Sequence, residues 1–196
     1  QTIEFEKSMH LKYLTVSPDA KRIFACCGSD IVIFGNTSKS QGRGKSNYHK
    51  MSFMSFHTKS VTAISLYDRF LLSAAEDGMF ALWNLGSDKP VNYYSTGSRI
   101  FCMTHFAIPL EEGLVVDELS LTHCAVCGLS NGTIQPLTRP IAKGSSASAA
   151  DQMVGMTVRA NKCPVSSICS AWGFLYAGCA DGSIKVFCSI VDKSLQ

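Results

Sequence analysis

Charge is scarce in this chain. Asp, Glu, Lys and Arg make up 17% of its 196 residues, against roughly 25% in a typical soluble domain, so an unusual share of its surface is expected to face other protein. Long apolar runs are missing too: none approaches the roughly 18 residues of a membrane-spanning helix. Residues Gln1 to Glu6 (QTIEFE) carry neither the basic stretch nor the apolar stretch of a secretory leader, and the expected location is intracellular, cytoplasmic or nuclear. An even set of regularly spaced cysteines is also lacking. The nine cysteines are odd in number and several, Cys26, Cys27, Cys124 and Cys179, fall inside strand-like runs, which fits small buried thiols in a reducing compartment and argues against a disulfide framework. With 46% apolar residues and a mean hydropathy of +0.12, the chain has ample material for a core.

What it does have is a repeat. One unit reads Phe56-His57, Val61 to Ser65, Phe70 to Ala74, Glu76-Asp77-Gly78 and Met79 to Asn84, three β-rich runs separated by turn residues. Ala177 to Phe187 (AGCADGSIKVF) aligns with Ser73 to Trp83 without a gap, and so does Cys127 to Leu137 (CGLSNGTIQPL), with Asn-Gly in place of Asp-Gly. Ala25 to Phe34 is a fourth copy whose turn is one residue shorter. The closing residues Phe34, Trp83, Leu137 and Phe187 stand 49, 54 and 50 residues apart. Strands that carry Ile, Val, Phe, Tyr and Leu alternating with Ala, Cys, Gly and Ser let sheets approach closely while large side chains fill the wedge between them. Asp-Gly and Asn-Gly suit a two-residue hairpin, whose turn needs positive φ. A lone unit cannot bury both faces, so the units are expected to stack.

On these residues the chain resembles the WD-repeat family of β-propellers, whose period is about 40 to 45 residues. The resemblance implies an all-β fold of four-stranded antiparallel blades, about four in this chain, with blade-like units over approximately 7–53, 54–95, 98–158 and 160–196. Strand 2–6 would complete a neighbouring blade or the last one. It also implies a buried polar tetrad of His57, Ser73, Asp77 and Trp83 in the second unit. The fourth unit keeps Asp181 but has Asn161, Ala177 and Phe187 at the other three places; the third is more degenerate and the first has only Asp30 and Phe34. Those three blades are expected to rely on packing alone. Family members most often have seven blades, so the chain reads as a portion of a longer polypeptide, with a closed four-bladed ring as the alternative.

Chemical readings of the same residues are weak. Gly44-Lys45-Ser46 ends like a phosphate-binding loop, but Lys39 stands where the first Gly belongs, and Tyr48 to Phe56 reads as strand where a helix is required. Cys124 and Cys127, beside His123, have metal-like spacing, but alternation in a strand turns them to opposite faces and no second pair exists. His57, Ser73 and Asp77 suggest a hydrolase, yet Ser73 would lie mid-strand beneath Trp83 without an oxyanion pocket. No enzyme activity, cofactor, metal or small-molecule substrate is expected, and no membrane association.

Two loops and a bulge interrupt the repeat. Gly35 to Asn47 is rich in Gly, Ser, Asn and Lys, and from Ile31 through Tyr67 there is no acid while Lys39, Arg43, Lys45, Lys50 and Lys59 are all basic. This segment reads as a solvated connection, or as a contact for RNA or an acidic protein. Thr138 to Asp151 reads as filler, and Pro109 to Glu118, with Glu111, Glu112, Asp117 and Glu118, as a solvated acidic face. The family's loops before each blade and its tight hairpins line the binding face, which makes Ser29, Asp30, Lys59, Ser60, Glu76, Ser130, Asn131 and Ala180 the candidate contacts. The expected function is a non-enzymatic scaffold joining proteins in a multi-subunit complex. The alternative is an RNA-associated assembly subunit, as in ribosome biogenesis, using the basic 39–59 segment; a net charge of +3 argues for restraint there.

Overall fold

The computed structural model describes residues 11–36, 48–67, 70–85, 87–107, 123–138, 153–154, 157–172 and 174–188. Expected strand 2–6, basic residues Lys39, Arg43 and Lys45, Gly44-Lys45-Ser46, the acidic bulge beyond residue 107 and the Ser-Ala stretch all lie outside these residues. The described residues are all strand and turn, and they contain no helix long and apolar enough to cross a membrane.

Four antiparallel sheets follow one another along the chain. The first is β1 (Leu11–Val16), β2 (Arg22–Cys27), β3 (Asp30–Asn36) and β4 (Tyr48–Ser55), paired in that order. The second is β5 (Val61–Tyr67), β6 (Phe70–Ala75), β7 (Met79–Asn84) and β8 (Pro90–Ser95), again in sequence order. The third contains β9 (Ile100–Ala107), β10 (His123–Leu129) and β11 (Thr133–Thr138), and two short strands, β12 (Met153–Val154) and β13 (Val158–Arg159), share the free edge of β11. The fourth is β14 (Val165–Ala171), β15 (Phe174–Cys179) and β16 (Ile184–Cys188) among the described residues. The chain divides into two compact units, Gln1–Gly97 and Ser98–Gln196, each holding two sheets.

In the first unit, strand alternation sends successive side chains to different cores. Phe24, Cys26, Ile31 and Met54 of the first sheet meet Val61, Leu71, Ala81 and Trp83 of the second in one buried cluster. The intervening Ala25, Val32 and Phe34 turn to the opposite face of the first sheet, against Leu11, Ile23 and Tyr48. The second unit repeats the arrangement: Val126 and Ile134 meet Val165, Leu175 and Ala177, with Phe187 against them. Small residues permit this approach. A side-chain carbon added at Gly128 would lie 2.5 Å from Cys102 Sγ and 2.7 Å from a methyl of Val165.

The hairpins differ from the two-residue turn expected from Asp-Gly and Asn-Gly. Ala74 pairs with Phe80, Gly128 with Ile134 and Gly178 with Ile184, and the turn amides of Gly78, Gly132 and Gly182 donate to Ala75, Leu129 and Cys179 at 3.1, 3.1 and 3.0 Å. These are three-residue loops in which only the glycine has positive φ, 80°, 82° and 83°. The acid or amide serves another purpose. Asp77, Asn131 and Asp181 each accept, through Oδ1, the amide of the residue two positions on, Met79 (2.8 Å), Thr133 (3.1 Å) and Ser183 (3.0 Å). The first hairpin is the shorter one, with Cys27 opposite Asp30 and Gly28 at φ 62°.

Two of these glycines predict a graded effect. An alanine at Gly182 meets no atom within 4 Å, so Gly182→Ala is expected to cost only the left-handed backbone penalty, about 1–2 kcal/mol. At Gly132 the added carbon would stand 2.2 Å from Asn161 O and 2.6 Å from Cys163 O, both backbone, so Gly132→Ala should lose clearly more. Chemical denaturation of the two variants side by side measures the difference; equal losses would refute the close approach.

Candidate functional site

Ser73 lies mid-strand on β6 and is fully buried. Its Oγ receives the indole Nε1–H of Trp83 at 2.8 Å and stands 2.8 Å from His57 Nε2. On the other side of the ring, His57 Nδ1 is 3.3 Å from Asp77 Oδ2, in electrostatic contact but off the line of a formed hydrogen bond. Asp77 Oδ2 also accepts the Thr58 amide at 2.8 Å. One proton arrangement satisfies the row: the Trp83 N–H donates to Ser73, the Ser73 O–H donates to His57 Nε2, and the remaining proton of a neutral His57 sits on Nδ1 facing Asp77. The row ties the loop before β5 to the β6–β7 hairpin. Phe56 packs its edge on His57 and on Trp83, with ring centres 5.3 and 6.0 Å apart.

Burial holds the His57 pKa below its ordinary 6.5, and the nearby Asp77 carboxylate opposes that shift without reversing it. Because the folded pKa is lowered, the unfolded chain takes up the proton more readily. The stabilisation is therefore complete above pH 6.5 and is lost as pH falls through the folded value. A charged ring would also leave the Ser73 proton without its acceptor. The thermal midpoint should fall as pH is lowered from 7 to 5, and His57→Asn should be less stable at pH 7 yet flatter over that range; parallel pH profiles would contradict the assignment.

The other sheets modify this arrangement, and the expectation that they rely on packing alone is corrected: each of the three carries a polar side-chain contact at its turn residue. In the fourth sheet Asn161 Nδ2 donates to Asp181 Oδ2 at 2.8 Å and to Ser183 Oγ at 2.9 Å. The amides and hydroxyls around Asp181, Ser183 foremost, bring its carboxyl down to about 2. The buried inner half is apolar here: Ala177 is in the place of Ser73, and Phe187 packs against the cluster holding it. Half a relay would strand a buried polar group, so losing serine and tryptophan together is the physically consistent change. In the third sheet Asn131 Nδ2 donates to Ser98 Oγ at 3.2 Å. In the first, Asp30 begins β3 after the turn and accepts the Ser55 hydroxyl at 2.5 Å.

Backbone bonds gather the candidate contact residues within each unit. In the first, Glu76 N donates to Ser60 O at 3.0 Å and Val61 N to Gly28 O at 2.8 Å, which brings Ser29, Lys59, Ser60 and Glu76 to one end of the two sheets. Lys59 is exposed, and Lys12 Nζ reaches Ser60 Oγ at 3.3 Å. In the second, Ser130 N donates to Arg99 O and Ala180 N to Pro164 O, both at 2.9 Å, while Ala160 and Asn161 donate to Gly132 O at 3.0 Å. Ser130, Asn131 and Ala180 thereby gather with Asn161. Lys50 is exposed on β4. Cys127 is buried on β10, and seven cysteines among the described residues are free thiols.

Sequence reasoning passed over Trp172. It sits in the turn between β14 and β15, is 94% exposed, and holds φ at 56°, a backbone region that bulky residues rarely occupy. Only the Trp-Gly sequence at 172–173 hinted at this.

Residues 49–84 match the family model described as WD domain, G-beta repeat. Among solved structures, the chain is similar to the computationally designed Ika4 protein at a TM-score of 0.64 and 16% identity, covering 95% of this chain and 94% of that one. It is similar to the computationally designed Ika8 protein at 0.60 and 17%, covering 90% of this chain and 45% of that one. At these identities the likeness is one of fold. No curated protein matches the chain.

Proposed function

We propose, for a chain that has the β-propeller fold and carries a WD repeat at residues 49–84, that it is a non-enzymatic scaffold joining proteins within a multi-subunit intracellular complex. WD-repeat domains suggest protein-interaction scaffolds, and the observation that carries the reading here is the burial of the hydrolase-like constellation His57, Ser73 and Asp77. Ser73 is wholly buried and saturated by Trp83 and His57, so this serine is not presented to a substrate as a nucleophile. What faces solvent is polar, shallow and mixed in sign, as at protein interfaces: Lys59 with Glu76 and Ser60 in one unit, Asn131 and Ala180 in the other. Trp172 is a separate candidate, at the opposite end of the fourth sheet from Ala180. A strained, almost fully exposed indole contributes little to folding, and tryptophan is among the strongest anchors at protein interfaces.

Affinity purification of the full chain from cells, with and without nuclease, tests the proposal. Partners should survive nuclease and be lost from Lys59→Glu, Glu76→Lys or Trp172→Ala at an unchanged melting temperature. Loss of every partner on nuclease treatment would instead favour the RNA-associated reading through the basic 39–59 segment. Retention of all partners by all three variants would remove both candidate contacts, the one in the first unit and Trp172.

A further inference from the structure

Two thiols and a carboxylate, all ligand types that zinc accepts, converge at the β15–β16 hairpin. Cys163 lies in the loop before β14, Cys179 closes β15, and Asp181 is the hairpin acid; their Sγ, Sγ and carboxylate oxygen atoms all lie within 4.8 Å of one another. From these positions we infer that Cys163, Cys179 and Asp181 form a three-ligand site for a single thiophilic divalent cation of the zinc type.

The fold builds this location more than once, but the ligand chemistry is particular to the fourth sheet. Val61 pairs with Ala75, Ile100 with Leu129 and Val165 with Cys179. Counting from those pairs, the positions of Cys163, Cys179 and Asp181 are filled by Lys59, Ala75 and Asp77 in the second sheet and by Ser98, Leu129 and Asn131 in the third. A hairpin cap needs only the acid or amide. Here Cys163 hydrogen-bonds to the Asp181 carboxylate, and Cys179 brings a second sulfur to within 4.8 Å of both.

The geometry suits the ion. Zinc sits about 2.3 Å from thiolate sulfur and about 2.0–2.2 Å from carboxylate oxygen, so tetrahedral ligands lie somewhat under 4 Å apart. Closing from 4.8 Å asks for about 1 Å of movement, which a side-chain rotation of the half-buried Cys163 supplies. Asp181 is already oriented: Ser183 N and Oγ hold Oδ1 at 3.0 and 2.8 Å, and Asn161 Nδ2 holds Oδ2 at 2.8 Å. Carboxylate ligands are commonly fixed by such outer hydrogen bonds. Asp181 is exposed while Cys179 is buried, so the ion enters from solvent on the carboxylate side, and a fourth position remains for water. Binding converts two thiols to thiolates and releases two protons to solvent.

Cobalt(II) titration of the reduced full chain tests the site. One equivalent should produce a thiolate-to-cobalt charge-transfer absorption in the near ultraviolet, displaced by zinc. The band should vanish or weaken sharply in Cys163→Ser and Cys179→Ser and persist in Cys169→Ser, which alters an exposed thiol elsewhere on β14. Asn161→Ala should loosen binding about 10- to 100-fold. No band, or a band unchanged in Cys163→Ser, would overturn the inference. Should Cys179→Ser fail to fold, alkylation of the unaltered protein still decides. Cobalt should shield Cys163 from a thiol reagent and leave Cys169 reactive; equal labelling of Cys163 with and without cobalt would refute the site.

Discussion

Replacing Trp83 with alanine is expected to remove about 4 kcal/mol of stability, the range for a fully buried large aromatic side chain. The indole fills the cluster shared by the first two sheets, against Phe24, Ile31, Met54, Val61 and Leu71, and its loss leaves a cavity that rigid strands on both sides cannot close. It also deprives Ser73 of its donor. Trp83→Phe separates the two effects: most of the packing remains, the hydrogen bond does not, and the loss should fall to about 1–3 kcal/mol. Equilibrium denaturation reads both, and a Trp83→Ala loss under about 1 kcal/mol, the size of a surface substitution, would be incompatible with the core described.

Asp77→Ala is the second large effect. Its carboxylate receives the amides of Thr58 and Met79 and faces His57 Nδ1, so removal leaves three polar groups in need of partners. A loss of about 3 kcal/mol follows if each uncompensated group costs on the order of 1 kcal/mol. Asp77→Asn keeps the Oδ1 cap on Met79 but turns an NH2 group toward the Thr58 amide or the ring proton, and should lie between wild type and Asp77→Ala. The same substitution also bears on catalysis. A structural acid gives a destabilised protein, whereas a catalytic one would give a variant with unchanged melting behaviour.

How much of this was legible in the sequence differs by residue. The hairpins were, because Gly78, Gly132 and Gly182 carry a backbone requirement that few other residues meet, and they recur in register. The loop length was misjudged for a related reason: Asp-Gly is compatible with both turn classes, and what selects the three-residue form is the Asp77 carboxylate accepting the Met79 amide, a geometric choice the letters do not record. The Asn161–Asp181 clasp was hidden because Asn161 replaces the histidine of the second sheet while Asp181 keeps the place of Asp77 and the contact persists. The cysteine pair beside Asp181 was invisible because Cys163 and Cys179 are joined by strand pairing rather than by spacing. Cys124 and Cys127, which do have a suggestive spacing, are both on β10, and no second pair accompanies them in the sequence.

The chain contains two tryptophans, and that gives the relay an internal control. Hydrogen exchange of the two indole N–H groups, followed by NMR in the native chain, is the most direct test of a buried polar lock built on a recurring β unit. The Trp172 N–H, on a 94% exposed side chain, should exchange at once. The Trp83 N–H, fully buried and bonded to Ser73 at 2.8 Å, should exchange only through global opening, with a protection free energy equal to the unfolding free energy from denaturation. Exchange of both indoles at the same fast rate would show that Trp83 is open to water and that the lock does not exist.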